Sequence, residues 1–270
     1  MERRIYRLCL KQTHESPHLR REGVQSTETV FGGPPGLLRI AASAVVDAGT
    51  NYGGSYPGDP TKQEICALAH FGHEKGLMLE LSTIQGFIEQ DFIGSGIEHR
   101  VAAHREKNRV IKIYDPREID EQTGETFYKP AALLFDYLTD HLLSNHLFGD
   151  DLCLEGFYED QGNLHLVISQ PFVRGKHPSW SQLVDLMQAQ GLEHESPGTT
   201  KAKFWVDAGD AGRVLVTDVH EDNVIVMASG RGHPIDVHFS FPSRQARIEA
   251  LTTLGICHEQ ITTSVPSPPR

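Results

Sequence analysis

Apolar residues recur along the chain with helical spacing in three places. The clearest helix is predicted from Pro130 to Leu147, where a proline stands at the start. Its stripe recurs at i, i+3 and i+4 spacing and consists of Leu134, Tyr137, Leu138, His141 and Leu142. A shorter stripe predicts an amphipathic helix over residues 61–74. The segment "SWSQLVDLMQAQG" predicts a third helix, which begins after a capping serine and ends at Gly191.

Short apolar runs with turn residues between them predict strands. From Gly86 the sequence "GFIEQDFIGSGIEHRVAAHREKNRVIKIY" indicates two or three strands with turns at "GSG" and "EKN". The runs "LCLEGFYED" and "NLHLVISQPFV" predict an antiparallel pair with a turn near residues 160–162. After the linker "LEHESPGTTKAK", "RVLVTDV" and "NVIVMA" predict two more strands. This order favours a mixed sheet lobe followed by a mainly helical lobe, and it argues against a long parallel doubly wound sheet.

Glycine and proline clusters dominate the first part of the chain. Residues 13–60 contain "FGGPPG" and "NYGGSYPGDP", which predict loop or a loosely attached leader. The apolar run "LLRIAASAVV" between these clusters could nevertheless dock on a neighbouring element. At the other end, "SVPSPPR" is typical of a disordered tail.

Composition and charge narrow the classes of function. The chain has 270 residues and a formal net charge of -11, from 25 basic and 36 acidic residues. An acidic balance argues against a broad nucleic-acid surface, which needs clustered basic residues. No apolar run is long enough to cross a membrane, and no signal peptide is evident, so we expect a cytoplasmic protein without a membrane partner. The four cysteines form no C-x-x-C pair, which favours reduced thiols.

Three polar residues near the end of the chain carry the candidate chemistry. Asn223 follows Asp218 by five positions, and Asp236 follows Asn223 by thirteen, in the apolar context "PIDVHF". Protein kinases use an Asp as catalytic base, an Asn five residues later, and a further Asp, the last two of which hold magnesium. Magnesium prefers such carboxylate and amide oxygens. The alternative is a hairpin with an Asp at one end and an Asn in its turn.

An upstream lysine and a glycine turn extend this pattern. Lys112 lies in "VIKIY", which matches the V-A-I-K of a kinase strand, although a lysine there could equally point to solvent. Gly94, Gly96 and Val101 in "IGSGIEHRV" match positions of the kinase glycine-rich loop, and His99 replaces its third glycine.

Two further features of a kinase site are less well defined. The predicted helix 130–147 has no Glu to pair with Lys112, so Asp136, Asp140 and Glu98 are open alternatives, and each could be a surface carboxylate. In "LVISQPFVRG", Pro171 has no N–H, so an adenine would take its backbone donor from Gln170 or Phe172. Otherwise this segment is an ordinary strand that ends at a proline.

Residues 62–240 as a whole resemble one family. The segments "GSGIEHRV", "RVIKIY", "LFGDDLCLEGFYED", "LHLVISQPFV", "VTDVHEDNVIV" and "PIDV" are similar to the serine/threonine/tyrosine-kinase-like domain found in polyvalent proteins of phages and mobile elements. The resemblance implies a bacterial protein with a compact, bilobal, protein-kinase-like α+β fold. Its domains would be a leader (1–60), a helical lead-in (61–85), a β-rich N-lobe (86–173), an abbreviated helical C-lobe (174–257) and a tail (258–270).

The resemblance also implies a role for each matching residue. Lys112 would hold the phosphates of ATP, Asp218 would be the catalytic base, and Asn223 and Asp236 would bind Mg²⁺. His220 stands in the catalytic loop where protein kinases usually have Lys. Glu98 is the preferred partner of Lys112. The remaining nucleotide-binding positions would be Gly94, Ser95, Gly96, Val101, Gln170 and Phe172.

The expected activity is ATP- and magnesium-dependent phosphorylation of a hydroxyl group on a protein. Val237 and His238 replace the Phe and Gly of D-F-G, and no A-P-E motif is present, which departs from protein kinases. Two alternatives therefore stay open. The pattern D-x-H-x-x-N also resembles small-molecule phosphotransferases of the aminoglycoside and choline kinase type, and a pseudokinase binding module would retain the fold without the reaction.

Overall fold

The computed structural model describes residues 36–51, 60–95, 99–104, 107–119, 126–128 and 134–256. Six α-helices lie in these ranges: α1 (Leu37–Asn51), α2 (Pro60–Glu74), α3 (Leu81–Asp91), α4 (Leu134–Phe148), α5 (Trp180–Ala189) and α6 (Arg244–Thr253). The strands in the first half are β1 (Phe92–Ser95), β2 (His99–His104), β3 (Arg109–Tyr114), β4 (Arg117–Ile119), β5 (Thr126–Tyr128), β6 (Cys153–Asp160) and β7 (Asn163–Pro171). Those that follow are β8 (Gly175–Lys176), β9 (Glu193–His194), β10 (Lys203–Asp207), β11 (Arg213–Thr217), β12 (Val224–Met227), β13 (Gly232–Pro234) and β14 (His238–Ser240).

The strands form antiparallel sheets. A five-stranded sheet has the order β1-β2-β3-β7-β6, and a four-stranded sheet has the order β14-β11-β10-β9. A three-stranded sheet, β13-β12-β8, and the pair β4-β5 complete the set. The predicted mixture of helices with antiparallel strands is thus confirmed, and strand β3 lies inside the largest sheet, between β2 and β7.

Helix α4 occupies the centre of the core. Leu134, Phe135, Leu138 and Leu143 on this helix have no exposed surface. Buried side chains occur on all sides of this helix, and it packs against α1, α2 and β14. Its Tyr137 ring stacks on Tyr114 of β3 at a centroid distance of 3.9 Å, which joins the helix to the five-stranded sheet. None of the helices in the described part of the chain has the length and apolarity that crossing a membrane requires.

Helix α1 lies in the segment for which the sequence predicted loop. Ala41, Ala42 and Val45 on this helix are completely buried, and the helix packs on α2 and α4. The apolar run therefore docks on its neighbours, and the flanking glycine and proline clusters mark the region around the helix rather than prevent it. Small alanine side chains on the buried face let α1 approach its partners closely.

Several predicted elements are present with similar boundaries. The structure has the helix predicted over residues 61–74 as α2, and β6 pairs with β7 around the predicted turn. Helix α5 begins after Ser179, whose backbone N–H donates to Oε1 of Gln182 at 3.0 Å. Gly191 follows the helix with a φ of 86°, which glycine adopts without steric cost.

Other elements differ from the prediction. Residues 86–91 belong to helix α3 and not to a strand, because Ile84 anchors a helical turn in the core beside β3. The helix predicted from Pro130 begins at Leu134 and ends at Phe148; the residues just before it, and the predicted tail 258–270, lie outside the described residues.

The described chain after residue 174 has two α-helices and seven short strands, so it is not the mainly helical part that the sequence predicted. One of these strands, Lys203–Asp207, lies partly in the predicted linker. Its alternate residues Phe204 and Val206 are buried, and β10 pairs along its whole length with β11. A strand of five residues contains only two or three buried positions, which is too short a pattern to predict the strand from the sequence.

Strand β8 holds β12 at a distance that only glycine permits. A Cβ atom at Gly175 would lie 2.2 Å from the backbone oxygen of Val226, so Gly175→Ala must push β12 away. We expect this variant to lower the free energy of unfolding by about 2 kcal/mol or more, measured by urea denaturation. Gly86→Ala in helix α3 is the matched control, because its Cβ would meet nothing within 4 Å and helical alanine is favoured. Equal stability of the two variants would contradict the packing argument.

Candidate active site

Lys112 is buried within the five-stranded sheet and is paired with a distant carboxylate. The residue is 3% exposed, and its Nζ donates to Oδ1 of Asp236 at 3.0 Å across 124 positions of sequence. On the neighbouring strand, Val101 lies directly opposite Lys112. Opposed residues of an antiparallel pair point to the same face of the sheet, so Val101 flanks the lysine.

The segment around Asp218 passes from one sheet to another. Strand β11 pairs with β10 and β14, whereas β12 pairs with β13 and β8, so β11 and β12 do not form a hairpin. Between them, residues Glu221–Asn223 form a short 3-10 turn. Nδ1 of His220 accepts a hydrogen bond from the backbone N–H of Asp222 at 3.2 Å and thereby caps the turn. The hairpin alternative for this motif is therefore wrong.

Asn223 links the segment of Asp218 to the segment of Asp236. Its Nδ2 donates to Oδ2 of Asp218 at 2.9 Å and to the backbone oxygen of Asp218 at 3.0 Å. The same nitrogen lies 3.3 Å from the backbone oxygen of Asp236, and the N–H of Ile235 donates to the Asn223 backbone oxygen at 2.8 Å. Among the described residues the side-chain contacts use only the amide nitrogen, which leaves the amide oxygen able to bind a cation.

Both carboxylates of the cluster have unusual backbone conformations. Asp218 has a φ of 63° and Asp236 a φ of 55°, and only three other described non-glycine residues have a positive φ. Residues other than glycine rarely adopt a positive φ. Those that do concentrate at functional sites, where the surrounding structure holds the backbone in place. The conformations therefore mark these two positions as a candidate active site independently of the sequence pattern.

The charges around Asp236 favour its ionised form. Burial would raise the pKa of this carboxyl, but the positive charge of Lys112, then that of His99 and the hydrogen bond from Lys112, outweigh burial. The net result is a pKa well below the usual range of an aspartate. Asp236 therefore presents a carboxylate at any physiological pH, as a metal ligand must.

Asp218 and His220 are more accessible than Lys112 and Asp236. The Asp218 side chain is 49% exposed, and its Oδ1 lies 3.6 Å from Nε2 of His220. One oxygen of Asp218 thus contacts Asn223 while the other faces His220 and solvent. A carboxylate held on one side and open on the other can orient an incoming hydroxyl group.

The acids of helix α4 are engaged elsewhere. Nη1 of Arg247, on α6, donates to Oδ1 of Asp140 at 2.8 Å, and its Nε lies 3.3 Å from Oδ1 of Asp136. Asp140 also accepts from the backbone N–H of Phe239 at 3.2 Å. Asp136 and Asp140 are therefore not the partners of Lys112 in this structure, and the preferred candidate, Glu98, lies outside the described residues.

An aromatic and imidazole cluster between β2, β3 and α4 was missed by the sequence reasoning. Nε2 of His99 shares a hydrogen bond with the Tyr137 hydroxyl at 3.0 Å, and the Tyr137 ring meets the His141 ring edge-on at 4.4 Å. Burial, followed by the charge of Lys112, lowers the pKa of His141 to about 3, so His141 is neutral. The available signal was the histidine in an otherwise apolar stripe of the predicted helix.

The predicted nucleotide-binding positions are only partly described. Gly94 is buried in β1 opposite Val101, and the backbone of Ser95 pairs with Arg100, whereas Gly96 lies outside the described residues.

Gln170 pairs with Val110 at the end of β7. The backbone N–H of Phe172 donates to the Asn108 oxygen at 2.9 Å, so Phe172 offers no free donor to an adenine. The choice between Gln170 and Phe172 as the adenine donor stays a prediction, and in this structure the turn between β2 and β3 occupies the N–H of Phe172.

The donor atoms at the site suit magnesium. In the described ranges no three His, Cys, Asp or Glu residues are grouped as a metal site. Mg²⁺ needs fewer protein ligands, since it is usually held by one or two carboxylates together with water and substrate phosphates. Asp236 and the amide oxygen of Asn223 supply hard oxygen atoms within the same cluster, so the residues present fit this ion.

Comparison with known proteins points to the same chemistry. A family model described as serine/threonine/tyrosine kinase found in polyvalent proteins matches residues 61–241, about two thirds of the chain. The matched range contains Lys112, Asp218, Asn223 and Asp236. Neither the comparison with curated proteins nor the comparison with solved structures found a match.

Proposed function

Because the chain belongs to the family of serine/threonine/tyrosine kinases found in polyvalent proteins, we propose that it transfers the γ-phosphoryl group of ATP to a hydroxyl group on a protein, with magnesium. The observation that carries this proposal is the convergence of Lys112, on strand β3, with three residues from the connections around β12 and β13. Lys112 contacts Asp236, and Asn223 contacts both Asp236 and Asp218. An ammonium, two carboxylates and an amide in one cluster are the groups that phosphoryl transfer requires.

Each residue has a role that follows from its surroundings. Lys112 would neutralise charge on the phosphates, and Asn223 and Asp236 would hold magnesium, which stabilises the charge that develops on the transferred group. Asp218 would orient the acceptor hydroxyl and take its proton through the oxygen that faces solvent. In this proposal the protein is bilobal, and the nucleotide lies between the five-stranded sheet and the segment from Asp218 to Asp236.

The direct test is a transfer assay with purified protein, γ-labelled ATP and magnesium, with cell lysate or a generic protein as acceptor. We expect labelled protein in the presence of magnesium and none after chelation with EDTA. Asp218→Asn should reduce labelling by about a hundredfold or more, because the amide cannot accept the proton. Asp222→Asn is the matched control, since Asp222 is exposed in the same turn. Equal labelling by the parent and Asp218→Asn would overturn the assignment of the base.

A second candidate function is phosphorylation of a small molecule. The observation that favours it is His220, which occupies the middle of D-x-H-x-x-N and lies 3.6 Å from Asp218. Screening aminoglycosides, nucleosides and amino alcohols for ATP turnover separates the two functions. A protein whose melting temperature rises with ATP and magnesium but which labels no acceptor would instead be a nucleotide-binding module.

A further inference from the structure

Helix α4 presents its acids and its imidazole in different directions. Asp136 and Asp140, four residues apart, lie on one face and contact Arg247. Tyr137 and His141, also four apart, lie on the next face, about 100° around the helix. Tyr137 is the residue that stacks on Tyr114, so this second face is the one turned towards the five-stranded sheet.

The contact between Tyr137 and Tyr114 places His141 on the side of the helix that faces the strand of Lys112. Lys112 precedes Tyr114 by two positions on β3, so the two side chains point to the same face of the sheet, about 7 Å apart along the strand. His141 follows Tyr137 by one helical turn, about 6 Å along the helix. Consistent with this geometry, the charges of Lys112 and Asp236 both act on the His141 ring.

His141 has an unused acceptor in this position. Its Nε2 is completely buried and has no hydrogen-bond partner within the described part of the structure. A buried polar atom without a partner costs free energy, and such atoms in native proteins usually have a reason. Lys112 has three N–H donors and is equally buried, and one of its hydrogen bonds goes to Asp236.

We propose that His141 is a positioning residue, whose Nε2 accepts a hydrogen bond from Nζ of Lys112 when Asp236 turns its carboxylate to the metal and nucleotide. The imidazole thereby takes the place of the helix carboxylate that would otherwise hold the lysine. Because the acceptor is neutral, the positive charge of Lys112 stays available for the phosphates. This inference rests on the proposed function, since it concerns the state with ATP and magnesium bound.

Two variants of His141 test this inference. His141→Leu replaces the imidazole by an apolar side chain of similar size and so removes the acceptor. His141→Gln keeps an acceptor oxygen near the position of Nε2. We expect the Leu variant to transfer phosphate about tenfold more slowly or worse, with a raised KM for ATP, because a hydrogen bond to a charged group is lost. The Gln variant should stay within about threefold of the parent, because its oxygen restores that bond.

Stability without nucleotide separates positioning from a structural role. Nε2 has no partner in this state, so the melting temperature of His141→Leu should equal or exceed that of the parent, while its rise with ATP and magnesium should shrink. Tyr137→Phe is the neighbouring control, which removes the hydrogen bond to His99 and should leave the KM for ATP unchanged.

Three results would overturn the inference: equal activity of the Leu variant and the parent, equal loss in the Leu and Gln variants, or a lower melting temperature of the Leu variant without nucleotide. A parent protein that neither binds ATP nor labels an acceptor would instead overturn the proposed function. The two failures are therefore distinguishable, because only the first set requires an active parent.

Discussion

Asp236→Asn is expected to destabilise the protein by about 3 kcal/mol and to reduce phosphoryl transfer at least about a hundredfold. The stability loss follows because Lys112, whose side chain is 4% exposed, would keep its charge without the carboxylate that neutralises it. We place the loss at the low end for buried pairs because the Asp236 side chain is itself 28% exposed. The transfer loss follows because an amide is a weaker ligand for magnesium than a carboxylate.

The double variant Lys112→Met, Asp236→Asn separates these two effects. Removing both charges abolishes the unpaired ammonium, so the free energy of unfolding should recover most of the loss, whereas transfer should stay undetectable. Urea denaturation and the labelling assay measure the two quantities on the same samples. A double variant as unstable as Asp236→Asn would show that the ion pair does not account for the stability.

The pH dependence of Asp236→Asn is a further readout of the same pair. The pKa of Asp236 lies below its ordinary value of 3.8, so the folded protein holds this proton less tightly than the unfolded chain. The pair therefore stabilises the fold fully above that pH and loses its contribution as the pH falls below it. We expect the stability difference between the parent and Asp236→Asn to be constant from pH 8 to about 5 and to narrow under more acidic conditions.

Arg247→Met should lower the free energy of unfolding by about 3–5 kcal/mol. The guanidinium is buried, and it donates to Asp140 and to Oγ1 of Thr139 at 2.8 Å each and to the backbone oxygen of Phe239. Removing it leaves the Asp140 carboxylate, whose side chain is 8% exposed, without its cation. Chemical denaturation of the variant measures the loss.

A surface arginine provides the control for Arg247. Arg213 pairs with Glu193 at 2.6 Å, but both side chains are more than half exposed. Solvent screens such a pair, so Arg213→Met should change stability by no more than about 1 kcal/mol. Similar losses from the two substitutions would mean that burial does not govern the strength of the Arg247 contacts.

The polar motif could be predicted from the sequence because its spacing reflects local geometry. Asp218 and Asn223 lie in the same short connection between β11 and β12, so a separation of five positions is compatible with their contact. Asp236 lies two residues after β13, which pairs with the strand that follows Asn223, and this pairing returns the chain to the same place. Short-range spacing of this kind can be recognised in the sequence alone, and so can the aliphatic residues around Lys112.

Contacts between distant segments could not be read in the same way. The sequence offered Asp136 and Asp140 as partners for Lys112, but nothing in it indicated that Arg247, more than a hundred positions later, binds both. Helix α1 was hidden for a related reason, since its alanines carry little periodic signal and its burial depends on α2 and α4. Such features are decided by tertiary packing, which overrides local preference.

The two helices that cover α4 limit how far the protein can be truncated. Helix α1, which packs on α4, precedes the residues 61–241 that match the family. Helix α6 follows them, and its Arg247 binds Asp140 of α4. Arg244 of α6 adds a bridge to Glu64 at 2.6 Å. A fragment trimmed to residues 61–241 would therefore lack both α1 and α6. Part of the apolar surface of α4 would then be exposed to solvent. We therefore expect a stable fragment to include both α1 and α6, beyond the residues 61–241 that match the family.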